Sequence, residues 1–175
     1  MTTDGTDLSH FIREIPDWPK PGILFYDITP LLGDPHALRA AVEAMCAPYT
    51  DAGISYVAAV EARGFIFGTA VAACLNAGFV PIRKQGKLPF ETQSVTYDLE
   101  YGTDTIEVHR DAVPAGAKVL MVDDLLATGG TMKAACELVE KVGGQVHEIT
   151  CLIELTDLGG RAKLAPYEIH TVISY

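Results

Sequence analysis

Two adjacent acids, Asp123 and Asp124, stand between an apolar run, Val119–Val122, and a small-residue turn, Thr128-Gly129-Gly130-Thr131. The apolar run reads as a buried parallel strand that ends at the acids. The turn opens a helix expected over about Met132–Val142. Free N–H groups at a helix start, with glycines allowing close approach, form a cradle for phosphate. Carboxylates just ahead of it can hold sugar hydroxyls or a metal ion. Phosphate, sugar and Mg²⁺ side by side describe a phosphorylated ribose. Each part alone has a plainer reading, because aspartates are common at strand ends and Thr-Gly-Gly-Thr can be a simple cap. No Gly-Lys-Ser/Thr follows, which excludes a Walker A loop. The glycines are adjacent and preceded by acids, which excludes the dinucleotide fingerprint.

Three further segments carry charge or apolar surface in a useful order. Glu61-Ala62-Arg63-Gly64 sets a planar fork of donors beside a glycine at a helix start, suited to pyrophosphate. Arg83, Lys84 and Lys87 place three of the chain's 13 basic residues within five positions. Tyr97-Asp98-Leu99-Glu100-Tyr101-Gly102 falls in a predicted hairpin, Ser94–Leu99 with Thr105–His109. Near the start, Pro16-Asp-Trp-Pro-Lys-Pro-Gly22 reads as an ordered loop and Leu8–Ile15 as a short helix.

The elements that must position these residues alternate. A helix is expected from Pro35 to about Tyr49, a strand at Tyr56–Val60 and a buried helix at Gly64–Asn76 ended by Gly78. Strands follow at Phe79–Arg83, Val119–Val122, Val146–Glu154 and Glu168–Ser174. This predicts an α/β chain: one domain over residues 1–175 with a mostly parallel twisted sheet and helices on both faces. The loops after Val60, Ile82 and Val122 then share one sheet edge.

The Asp123–Thr131 motif resembles the phosphoribosyl-pyrophosphate (PRPP) loop of type I phosphoribosyltransferases. The resemblance implies that Asp123 and Asp124 meet the ribose hydroxyls. It implies that Ala127, Thr128, Gly129, Gly130 and Thr131 hold the 5′-phosphate. It further implies a cis peptide at Glu61–Ala62. Arg83–Lys87 followed by Leu-Glu-Tyr-Gly, after Pro-Lys-Pro-Gly-Ile-Leu-Phe-Tyr-Asp, is similar to the adenine-specific members. In those, residues matching 8–34 form a hood over the base and residues matching 83–110 form a basic loop and flap hairpin. Leu24 would give backbone hydrogen bonds to adenine, Phe25 would stack on it and Leu125 would close the other face. Glu100 is the implied general acid/base, with Tyr101 helping to close the flap. Arg63 is the implied catalytic cation, binding PRPP together with Arg83, Lys84 and Lys87. The implied reaction converts adenine and PRPP to AMP and pyrophosphate in purine salvage. Mg²⁺ is expected through PRPP and water, with Asp123 or Asp124 as an alternative ligand. A basic loop that reaches a neighbouring subunit implies a homodimer. Tyr26 stands where many relatives have Arg, so contacts of that Arg do not carry over.

Composition narrows the alternatives. A net charge of −10 argues against nucleic-acid and membrane-surface binding, so an anionic substrate must be held by local cations and amide dipoles. Cys46, Cys74, Cys136 and Cys151 form no Cys-x-x-Cys pair and are expected as buried free thiols in a cytoplasmic protein. Residues 1–7 read as a loose tail, without the pattern of a signal peptide. The five histidines lack metal-ligand spacing. The rival readings are another base as acceptor, a non-catalytic PRPP or purine sensor, and a generic Mg²⁺-binding α/β domain.

Overall fold

The computed structural model describes residues 5–98 and 102–175. In chain order the strands are β1 (Arg13–Pro16), β2 (Leu24–Asp27), β3 (Tyr56–Val60), β4 (Gly78–Lys84), β5 (Thr92–Asp98), β6 (Thr103–His109), β7 (Lys118–Leu126), β8 (Gln145–Glu154) and β9 (Ile169–Ser174). The helices are α1 (Thr29–Gly33), α2 (Pro35–Cys46), α3 (Gly64–Cys74), α4 (Gly130–Lys141) and α5 (Gly160–Lys163).

Seven strands form one sheet in the order β5-β6-β4-β3-β7-β8-β9. The pairs β3–β4, β3–β7, β7–β8 and β8–β9 are parallel, as the alternation of elements predicts. The alternation of side chains along β3 and β7 splits the core in two. Ala58, Val60, Val119 and Met121 pack on the face that carries α4. Val57, Ala59, Leu120 and Val122 pack on the face that carries α2 and α3. From β3 the chain crosses through α3 to β4, and from β7 it crosses through α4 to β8, on opposite faces and in opposite directions. The carboxyl ends of β3 and β7 therefore flank the point where strand order reverses, where open α/β sheets bind ligands.

The flap hairpin hangs from this sheet by a short splice. β5 and β6 pair from Thr92↔His109 to Asp98↔Thr103, whereas β6 meets β4 only at Arg83↔Glu107 and Lys84↔Ile106. The hood is a separate two-stranded antiparallel sheet, with Arg13↔Asp27 to Pro16↔Leu24 in register.

Several sequence expectations need correction. Only Leu8–Phe11 is helical, as a 3-10 turn capped by the Asp7 side chain, and Arg13–Pro16 is a strand. β2 and α1 were not visible in the pattern, because four-residue strands and a five-residue helix carry too few repeats. β7 does not stop at the acids. It loses β3 after Val122 but keeps β8 as far as Leu126↔Glu154, so Asp123 and Asp124 lie within the strand. α3 is followed by Asn76 in the left-handed region (φ 53°), not ended by Gly78. Gly78 instead opens β4, where a Cβ would sit 2.8 Å from the Tyr56 ring. Cys74 is exposed at the end of α3, while Cys46, Cys136 and Cys151 are buried. Among the described residues no helix is long and apolar enough to cross a membrane.

Candidate active site

A cavity of about 270 Å³ opens at the reversal point. Its walls are the end of β3 with the start of α3 (Val60–Gly64) and the end of β7 with the turn into α4 (Asp123–Met132). Arg63, Asp123, Asp124, Leu125 and Ala127–Thr131 thus converge as their motifs implied.

The turn into α4 leaves the helix start without a side-chain cap. Gly129 precedes α4 at φ 76°, and no acid lies in the first turn of the helix. The first N–H groups of this twelve-residue helix, where the helix dipole is positive, thus receive no side-chain cap. Lys133 N–H already reaches back to the Gly129 carbonyl at 2.9 Å, so the helix is wound from its first turn.

The acids differ in their surroundings. Asp124 is 4 % exposed, and its Oδ2 lies 2.8 Å from Arg63 Nε. That approach is off the N–H axis, so the buried oxygen still lacks a hydrogen bond from the protein. Asp123 is half-buried on the cavity wall, and its Oδ1 accepts the Asp124 N–H at 2.9 Å. Burial, and next the charge of Asp124, raise the Asp123 carboxyl well above its usual range. Gly64 makes room for it, since a Cβ there would stand 2.8 Å from Asp123 Oδ1. The Glu61–Ala62 peptide beside them is cis, as the resemblance implied.

Phe25 reaches the cavity rim through Arg63, whose guanidinium carbon lies 5.3 Å from the ring centre. Trp18 packs on Phe25 edge-on at 4.3 Å, inside the hood. Leu24 is exposed on β2 and does not line the cavity. Tyr26 leaves β2 on the opposite side from Phe25 and stacks on Tyr175 at 4.2 Å.

The basic loop is held back from the cavity. Arg83 Nε donates to Glu61 Oε2 at 2.6 Å, one residue removed from the cavity space. Lys84 Nζ pairs with Asp104 at 3.1 Å, and Lys87 is exposed outside the cavity wall. Glu100 and Tyr101 lie outside the described residues. Nearby, Thr131 Oγ1 donates to the Tyr97 hydroxyl at 3.3 Å, a contact between cradle and flap that the motifs did not flag. Also missed was the pair Gly159-Gly160, a doublet in sequence, where Gly160 packs under the cradle.

A family model described as a phosphoribosyl transferase domain matches residues 36–172. This chain belongs to the phosphoribosyltransferase family. An adenine phosphoribosyltransferase of Rhodopirellula baltica is 57% identical over 169 residues, covering 97% of this chain and 82% of the relative. The crystal structure of the Rhodothermus marinus adenine phosphoribosyltransferase matches with TM-score 0.91 and 52% identity, covering 96% of each chain. The Saccharomyces cerevisiae adenine phosphoribosyltransferase, solved with adenine and an imino-altritol bisphosphate, matches with TM-score 0.89 and 39% identity over 94% of this chain and 96% of that one. The phosphoribosyltransferase fold thus accounts for the sheet order, with hood and flap as its additions.

Proposed function

We propose that this phosphoribosyltransferase moves the 5-phosphoribosyl group from PRPP to adenine, giving AMP and pyrophosphate in purine salvage. The observation that carries the reading is one cavity in which a cation, two carboxylates and an uncapped helix start meet. Its adenine-specific relatives, similar over nearly the whole chain, favour adenine as the acceptor.

The 127–131 turn holds the 5′-phosphate through backbone N–H groups. Asp123 and Asp124 accept hydrogen bonds from the ribose hydroxyls, which restores a partner to the buried Asp124 oxygen. The C1–O bond to pyrophosphate breaks as a purine nitrogen bonds to C1, through a cationic sugar like that of glycoside chemistry. Arg63 meets the charge that gathers on the departing pyrophosphate, with Arg83, Lys84 and Lys87 reaching it after rearrangement. Phe25 and Leu125 take the flat faces of the base, Leu24 offers its backbone, and Glu100 manages the purine proton while Tyr101 closes the flap.

Among the described residues no three His, Cys, Asp or Glu side chains gather as a metal cage. Mg²⁺ would be carried mainly through PRPP and water, with Asp123 or Asp124 as an alternative ligand. When bound, the ion neutralises pyrophosphate charge. We place the chain in the cytoplasm, where free thiols persist, and as a homodimer.

The test is AMP formation from PRPP and Mg²⁺ with adenine, hypoxanthine and guanine offered in parallel. Product from adenine alone is expected. IMP or GMP would overturn the base assignment, and saturable PRPP binding without product would favour a sensor.

A further inference from the structure

The strongest feature outside the cavity wall is the short turn that supports the cradle from behind. Gly160, at the start of α5, lies so close to the Ala127 carbonyl that a Cβ there would clash with it. A Cβ on Gly129 would in turn stand 2.8 Å from the Gly160 carbonyl. Two stretches of backbone, one of them the phosphate turn, are therefore in direct contact. The shape of the turn depends on where Gly160 is held.

Arg161, the next residue, fixes that position. Its Nε donates to Glu154 Oε1 at 3.0 Å, its Nη2 to Glu154 Oε2 at 2.5 Å and its Nη1 to the Ile169 carbonyl at 2.8 Å. Thr171 Oγ1 adds a third donor to Glu154 at 3.1 Å. Glu154 is buried at the end of β8, directly opposite Leu126 of β7, where the chain leaves the sheet for the cradle. The Leu155 N–H donates to the Leu126 carbonyl at 2.9 Å, joining the same strand ends. A two-pronged arginine on a buried carboxylate is among the stiffer anchors a protein can build. This anchor ties three strand ends to one glycine.

We propose that Arg161, acting through Gly160 and braced by Glu154, is a positioning residue that holds the Ala127–Gly129 backbone in its phosphate-binding shape. Neither side chain touches substrate. The inference rests on the PRPP reading of the cradle. It predicts a specific signature: loss of affinity for the 5′-phosphate, with the base site spared.

Two variants test it, Arg161→Lys and Gly160→Ala. A lysine keeps the charge but cannot make the paired bonds to Glu154 and the third to Ile169. The measurements are KM for PRPP, KM for adenine, kcat, thermal midpoint and the dissociation constant of ribose 5-phosphate. For each variant, KM for PRPP and the ribose 5-phosphate constant are expected to rise together by about tenfold, while KM for adenine stays within about twofold. Equal rises in both KM values, or a lower thermal midpoint with both PRPP and ribose 5-phosphate affinities unchanged, would overturn the proposal and leave a purely structural anchor. If Gly160→Ala does not fold, Arg161→Lys carries the same test. Absence of AMP from the unaltered protein would sink the functional reading, yet the ribose 5-phosphate measurement would still decide whether the anchor shapes the turn.

Discussion

The half of the site assigned to ribose and phosphate and the half assigned to the base are built in different ways. The first consists of strand ends and a helix start continuous with the core, with Asp124 buried and Gly64, Gly129 and Gly160 allowing close backbone contact. The second consists of a hood whose strands pair only with each other, and a flap spliced to the sheet by two residue pairs. Trp18 and Leu24 of the hood are 50% and 41% exposed. A phosphate and a sugar demand fixed donors and acceptors, because an imperfectly placed charged hydrogen bond loses much of its value. A purine demands flat apolar surface that must part to admit it. The stiff half sits on the sheet and the yielding half beside it.

That contrast can be broken by mutation, most severely at the acids. Asp124→Asn should lower kcat/KM for PRPP by about 100-fold, because charged hydrogen bonds to the sugar are lost where the cationic sugar forms. Adenine affinity measured without PRPP should be unchanged, and a parallel loss there would show that the halves are not separable. Next comes Glu100→Gln, expected to cut kcat by about 100-fold through loss of proton transfer while leaving the KM for PRPP alone. Steady-state kinetics with each substrate varied in turn would reject the assigned role if turnover were unchanged. Phe25→Ala should act on one substrate only. Removing a stacked ring is worth about 0.5–1.5 kcal/mol, so the KM for adenine should rise by up to about tenfold with the KM for PRPP unmoved.

The two halves also differed in how far the sequence revealed them. The cradle was legible because its chemistry is local: Asp123 to Thr131 are contiguous, and the acids and the turn together point to a use that neither shows alone. The parallel sheet was legible because Val57–Val60 and Val119–Val122 are unbroken apolar runs. The strands of the hood were not legible: Leu8–Ile15 reads as a helix and Pro16–Gly22 as a loop, because Arg13–Pro16 and Leu24–Asp27 are only four residues long each. The anchor under the cradle was invisible for another reason. Glu154, Arg161, Ile169 and Thr171 come together only when β8 and β9 pair, and no local pattern marks a partner in another element. The continuation of β7 through the acids was hidden likewise, because its partner there is β8 alone.

A smaller effect sharpens the contrast from the side of stability. Burial and the neighbouring Asp124 raise the Asp123 carboxyl well above its usual range, so between the unfolded value of 3.8 and the raised one the folded chain holds more protons than the unfolded chain. Stability must then fall as pH rises through that window. Asp123→Asn keeps the shape, removes the ionisation and should flatten the slope. The thermal midpoint of the variant, followed from about pH 4 to about pH 8, should match the unaltered protein at the acid end and exceed it at the neutral end. An equal slope in both proteins would mean that another group titrates. The same variant should bind PRPP less well, because a neutral amide is a poorer acceptor for ribose hydroxyls. An acid that destabilises the empty protein and improves on binding is a site held ready at the expense of the fold, which is expected of the rigid half alone.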